Sequence, residues 1–311
     1  MLVRLRFLIF SLWLGAVAGA GVHAAPMIVI VSSEGSAAYA EAADALVGEL
    51  ERGGLSRLEV LQLTAVELAG AGPLSPKLFV ALGTEAANAL AKTESRIPVL
   101  CTLLPRSSFE RTLLENGRKP SAQFSSLYLD QPLSRQLELI RAALPTARRV
   151  GVLWGPESQV QAPALKTLVR ASALELVEAT VASNELFFPS LKRVLEDADL
   201  LLAMPDPQLY NSSNIQNILL ASFRAKVPLV AFSPAYVRAG ALLALYVTPT
   251  QIGRQAAAIA RGVLQGKTLS ATPLYSQDFS VAVNEHVARS LGLTLDADAL
   301  RARLRRREGA P

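Results

Sequence analysis

The side chains able to do polar chemistry in this sequence gather just after short apolar runs. Ser32 and Ser33 follow MIVIV, Gly83 and Thr84 follow KLFVAL, and Thr102 lies in IPVLCTLL. Farther along, Trp154, Gly155, Glu157 and Ser158 follow RRVGVL, and Pro205 and Asp206 follow ADLLLAM. Ser233 and Tyr236 follow VPLVAF, and Thr248 follows GALLALYV. Hydroxyls and free backbone N–H groups at strand ends suit a carboxylate or another polar head group. Trp154 and Tyr236 would add an apolar wall for stacking. Serine and threonine in such places also serve as helix caps, so each has a structural use beside the binding one.

Catalysis has thinner support. Glu157 and Asp206 admit an acid/base pair for glycoside chemistry, which needs carboxyl groups about 5–10 Å apart. Histidine is confined to His23 and His286, and Cys101 is the single cysteine, so multi-histidine metal sites and intrachain disulfides are excluded. A Ser-His-Asp triad would have to be built around His286 alone. Cys101 sits in an apolar run where a small buried hydrophobe is the simpler reading, although a reactive thiol stays open. There is no Walker A sequence and no G-x-G-x-x-G. We expect no cofactor, no metal and no enzymatic activity.

The elements that must position these residues alternate regularly. Strand-like runs at 27–33, 58–63, 77–84 and 97–104 are joined by helical patterns, and the pattern restarts at 148–156, 174–181, 198–207 and through the two runs ending at 247. Continuous apolar strands separated by helices indicate parallel sheets covered on both faces. The expected fold is α/β, two doubly wound parallel-sheet lobes, with the strand ends of both facing one cleft. FSSLYLDQP (124–132) reads as a crossover between lobes, and the helix from TPTQIGRQ, with Pro249 in its first turn, as the return to the first lobe. A last strand and helix are expected in FSVAVNEHVARSLGL (279–293). The lobes are assigned to 25–127 plus 249–276 and to 128–248 plus 277–311.

At the N-terminus, Arg4 and Arg6 precede FLIFSLWLGAVAGAGV and then Val22-His23-Ala24. A basic region, an apolar core and a small-x-small site read as an export signal over 1–24, cleaved after Ala24. The apolar core is short for a membrane span of about 20 residues, so a soluble periplasmic chain is expected, with no stable membrane insertion after cleavage. The net charge is +5 before the two signal arginines are removed. Much of the remaining excess lies in RARLRRR (Arg301–Arg307), read as a solvated final helix face rather than a nucleic-acid patch.

Four blocks carry a resemblance to a known family: RVGVLWGPES, ADLLLAMPDP, AKVPLVAFSPAYVRAGALLALYVTPTQIGRQAAAIARGVLQGK and FSVAVNEHVARSLGLTL. In this order they resemble the ABC-transporter substrate-binding proteins grouped with tryptophan- and tyrosine-type uptake systems. The resemblance runs from about 125 to 295 and is carried upstream by GTEAANAL and IPVLCTLL. It implies the type I periplasmic-binding fold, a small polar or aromatic-containing solute held between the lobes, and an inner-membrane ABC permease as partner. Family members usually carry an Asn and a nearby Ser where WGPES stands, so Gly155 replaces the Asn while Ser158 matches the Ser. Their helix entry usually reads VDYYELG; here VTPTQIG puts Thr248 in place of the Asp, without a charge for an amino group. These departures motivate one alternative, an envelope sensory or assembly partner built on the same fold.

Overall fold

A computed structural model describes residues 26–93, 96–182 and 187–309. The export signal and its cleavage site after Ala24 lie outside the described residues. Two six-stranded sheets organise what is described.

The first sheet is built from β1 (Ile28–Ser32), β2 (Val60–Thr64), β3 (Leu78–Leu82), β4 (Val99–Thr102) and β5 (Phe124–Tyr128). All five pair in parallel, in the spatial order β5-β4-β3-β1-β2. Alternation along β1 explains the two-sided burial, because successive side chains of a strand point to opposite faces. Ile28 and Ile30 pack with Leu46, Leu50, Ile252 and Ala256, while Val29 and Val31 pack with Ala86, Leu90 and Phe109. Those partners lie on α1 (Ala37–Arg52) and α10 (Pro249–Leu264) on one face, and on α3 (Thr84–Ala91) and α4 (Arg106–Glu115) on the other. A short α2 (Ala65–Gly70) follows β2 under a capping box between Thr64 and Glu67.

The second sheet repeats the plan with β6 (Arg149–Trp154), β7 (Glu175–Thr180), β8 (Leu200–Leu202), β9 (Leu229–Ala231) and β10 (Leu243–Tyr246), ordered β10-β9-β8-β6-β7. On one face Val150 and Val152 pack with Leu137, Ile140, Leu165 and Leu304, from α5 (Leu133–Ala143), α6 (Ala162–Ala171) and α12 (Ala297–Glu308). On the other, Leu153 and Leu201 pack with Leu191, Val194 and Ile218, from α7 (Phe187–Asp197) and α8 (Ile215–Ala225). Two further short helices are α9 (Pro234–Ala239) and α11 (Glu285–Ser290).

Each sheet is completed late in the chain. β11 (Leu274–Tyr275) adds to β5 in parallel, and β12 (Ser280–Val283) adds to β10 antiparallel, so the second sheet is mixed rather than wholly parallel. The expected strand and helix in 279–293 are present as β12 and α11. The 124–132 segment is a full strand of the first sheet before the chain crosses, and the SPAYVRAG stretch holds the helical turn α9. The arginine-rich tail is helical in α12: Leu300 and Leu304 are buried, and Arg301, Arg305 and Arg307 pair with Asp298, Asp278 and Glu138.

The chain passes between the sheets three times, after β5, after β10 and between β11 and β12. Side chains tie the three passages together. Gln251 Oε1 accepts from Thr248 N at 2.9 Å and from Ser280 Oγ at 3.4 Å. Gln255 Oε1 accepts from Ser276 Oγ and Gln277 N, both at 3.0 Å. The buried Arg135 donates to Gln131 Oε1 at 2.6 Å and Ser276 O at 3.0 Å, and its guanidinium lies 4.4 Å from the Phe279 ring centre.

Candidate functional site

The carboxyl ends of both sheets meet at a small hollow of about 70 Å³. From the first sheet it is lined by Pro105, Leu129 and Asp130, from the second by Pro205, Phe232 and Leu245, and at the crossing by Gln131 and Gln136. Asp130 Oδ2 accepts from Arg106 N at 2.6 Å, satisfying a first-turn donor of α4 that has no partner inside the helix. Gln131 Nε2 and Gln136 Oε1 are buried and have no hydrogen-bond partner among the described residues. Behind Phe232, Tyr236 and Tyr210 stack edge-on at 5.2 and 5.8 Å between ring centres, and Tyr236 Oη donates to Tyr210 O at 2.9 Å. Across the gap, Arg111 of α4 forms an ion pair with Glu157 of the β6–α6 loop, joining the two sides.

Burial in this hollow pushes the Asp130 carboxyl up to about 6, against the lowering effect of the Arg106 N–H. The folded protein therefore takes up a proton at higher pH than the unfolded chain, whose carboxyl stays near 3.8. This group lowers stability above pH 6, and stability recovers as pH falls from about 6 toward 4. Comparing melting temperatures of the wild type and Asp130→Asn between pH 7 and 4.5 isolates the contribution. The wild type should gain relative to the variant on acidification; identical profiles would refute it.

Most of the hydroxyl groups expected at strand ends are engaged in local structure. Thr248 caps α10 through a reciprocal box with Gln251, and Ser233 caps α9 by accepting from Ala235 N. Thr84 does not cap α3; it is the first helical residue, and Gly83 holds the cap position at φ +90. Ser33 takes over from the neighbouring strand: its Oγ donates to Leu82 O at 3.0 Å and accepts from Ala86 N at 3.1 Å. A Cβ at Gly83 would come 2.6 Å from Ser33 Oγ and 2.4 Å from Tyr39 Oη, so only glycine fits there. Ser32 lines a separate groove beside α1, and its Oγ donates to Leu63 O at 3.4 Å. Thr102 is fully buried, and its Oγ1 has no partner among the described residues.

The WGPES loop is organised by a carboxylate. Asp206, 2% exposed, accepts through Oδ2 from Glu157 N, Ser158 N and Ser158 Oγ at 2.9–3.0 Å, and through Oδ1 from Gln208 N at 3.0 Å. Ser158 Oγ in turn accepts from Gly155 N at 2.9 Å. A Cβ on residue 155 would stand 2.4 Å from Asp206 Oδ2, which explains glycine at that position. Trp154 is 1% exposed within the core, its indole N–H donating to Glu178 at 2.8 Å, so it forms core where a cleft wall was expected. With Asp206 holding backbone and Glu157 paired to Arg111, the two carboxylates are not disposed as an acid/base pair. Cys101 is wholly buried, and burial pushes its thiol up, which removes the thiolate that reactivity needs.

Of the residues expected from sequence, Pro205 lines the hollow; Tyr236 stacks on its Phe232, Asp206 follows Pro205 in the chain, and Glu157 pairs with Arg111. Leu129, Asp130, Gln131 and Gln136 were not anticipated; the crossover stretch LYLDQP was the only signal for the first three, which follow β5, and Gln136 lies within α5. Among the described residues there is no cluster of three or more His, Cys, Asp or Glu able to hold a metal ion, and no helix is long and apolar enough to cross a membrane.

Residues 72–303 match the family described as ABC transporter substrate binding protein. The chain belongs to that family. Its members bind substrates and do not transform them, in keeping with a site whose carboxylates are spent on structure. A tyrosine-binding protein of Clostridioides difficile (strain R20291) is 23% identical over 229 residues, covering 72% of this chain and 66% of that relative, just under two thirds of its length. Among solved structures, a ligand-free, open substrate binding protein with adhesive properties from Clostridium difficile aligns with TM-score 0.69 at 20% identity, over 87% of this chain and 96% of that one. A Streptococcus pneumonia ABC domain in complex with L-Trp aligns with TM-score 0.63 at 18% identity, over 89% and 97%. A conserved domain protein from Vibrio cholerae gives 0.63 at 21% identity, over 89% and 98%. At these identities the likeness is one of fold, the two-lobed periplasmic-binding arrangement expected for this substrate-binding family.

Proposed function

We propose that this chain is an exported solute receptor that carries a small polar or aromatic-containing solute to an inner-membrane ABC importer. The observation that carries the reading is the hollow between the two sheets. There a buried donor on Gln131 and a buried acceptor on Gln136 lie unpartnered beside Asp130 and the edge of an aromatic cluster. Such groups are costly to bury unless something pairs with them, and a bound solute supplies the pairing. The names of two relatives, one binding tyrosine and one holding L-Trp, support an aromatic amino acid as the first class to try.

At about 70 Å³ the hollow is far below the ~300–1,000 Å³ of typical ligand sites. Entry therefore requires the lobes to part, with bending at the three passages and loss of the Arg111–Glu157 pair. Sheet membership supports lobes at 25–127 plus 249–276 and 128–248 plus 277–311. The N-terminal residue pattern supports periplasmic export with cleavage after Ala24, which the mass of the secreted protein tests directly.

The binding test is a melting-temperature screen against amino acids, small organic acids and sugars at millimolar concentration. A cognate solute present at about 100 times its Kd should contribute about 2.7 kcal/mol, a shift of roughly 5 °C or more. A flat screen would overturn the small-ligand reading. The departures from the family pattern at Gly155 and Thr248 both have local structural uses, contact with Asp206 and capping of α10. They no longer single out a sensory or assembly role. Retrieval of a receptor ectodomain alongside a flat screen would restore it.

A further inference from the structure

A groove of about 500 Å³ lies at the opposite end of the second sheet from the hollow just described. It opens where α8 ends and β9 begins, and α11 forms its far wall. Leu219, Phe223, Val287 and Leu291 make its apolar sides. Phe223 is 68% exposed and Leu220 beside it 47% exposed, large apolar surface for the end of one helix.

Two polar features distinguish this groove from a bare apolar cleft. Ser222 lines it at 4% exposure, and its Oγ is buried without a hydrogen-bond partner among the described residues. Arg224 and Lys226 stand on its rim, and among the described residues neither forms an ion pair. The nearby acidic groups are committed: Asp199 pairs with Arg149 and accepts from two backbone N–H groups, while Glu196 pairs with Lys192. Ser290 Oγ donates to Val287 O. Two uncompensated cations, one unpaired buried hydroxyl and an apolar trough of ligand size describe a receptor for a molecule with one negative end and one apolar end.

We propose that this groove is a second binding site, for an organic monocarboxylate with an aromatic or short branched body. The carboxylate meets Lys226 and Arg224, the Ser222 hydroxyl donates to the same end, and the body lies between Phe223 of α8 and Val287 of α11. The site shares no lining residue with the interlobe hollow and does not depend on what binds there.

The probes are 4-phenylbutyrate and its uncharged counterpart 4-phenylbutanol, titrated into the purified protein and followed by amide chemical shifts. The acid should bind saturably, with shifts centred on 222–229 and 287–291, and the alcohol about tenfold more weakly, the worth of one charge-assisted bond. Combined Arg224→Glu and Lys226→Glu should weaken the acid by about tenfold or more on the same ground. Ser290→Trp, an exposed substitution on the rim, should abolish binding of both probes by filling the trough. Far-ultraviolet circular dichroism of both variants checks that they fold. Absence of saturable shifts, or equal binding of acid and alcohol unaffected by the variants, would show an adventitious apolar contact and overturn the proposal.

Discussion

Replacing Gly253 with alanine should lower the melting temperature by several degrees, although alanine is the better helix former. Gly253 is buried in α10 where that helix crosses α1, and a Cβ there would lie 2.3 Å from Ala42 O and 2.9 Å from Ala45 Cβ. The first obstacle is backbone, so the helices must separate. Overpacking of this kind costs about 1–3 kcal/mol or more, which exceeds the ~1 kcal/mol gained in helix propensity. Gly253→Val should be worse again. Gly48, in the interior of α1, supplies the control: nothing stands within 4 Å of its missing Cβ. Gly48→Ala should therefore raise stability by roughly 1 kcal/mol. The same chemical change is expected to have opposite signs at two sites in one helix pair. If Gly253→Ala stabilises as Gly48→Ala does, the close crossing is wrong.

The second large effect is expected at Asp206. Its removal leaves Glu157 N, Ser158 N, Ser158 Oγ and Gln208 N without their acceptor. Asp206→Ala should cost on the order of 3–5 kcal/mol, since several buried donors lose a charged partner together. Asp206→Asn should cost less, because one amide oxygen can still accept on one side while the amide nitrogen faces Gln208 N. Gly155→Ala offers an independent check through coupling. In the wild type its Cβ strikes the Asp206 carboxylate, whereas in Asp206→Ala the obstacle is absent. The double variant should thus be more stable than the sum of the two losses predicts, by about 1 kcal/mol or more. Denaturant unfolding of the four proteins measures this. Additive losses would mean that Asp206 does not press on residue 155.

The layout was legible because β1, β3, β6 and β9 are short, continuous apolar runs, and such runs specify strands buried on both faces whatever surrounds them. The antiparallel β12 was not, since a four-residue strand carries no sign of its direction and takes it from the neighbour it joins. The candidate site was legible only in outline. Hydroxyls after strands look alike whether they meet a ligand or a helix end, and Ser233 and Thr248 proved to be caps. Asp206 read as a chemical group, yet its partners are backbone N–H groups, which no residue pattern displays. Gln131 and Gln136 escaped notice because their position depends on how two distant sheets approach each other.

The placement of β11 and β12 bears on when this protein can fold. The first half of the chain lacks an edge strand and the helix that covers α1 until residues beyond 249 have been made, and the second half waits for 280–283. Neither sheet is complete on a nascent chain that still lacks these segments. Loss of the last forty residues would strip β12, α11 and α12 from the second half while taking only β11 from the first, so late truncation should damage the two halves unequally.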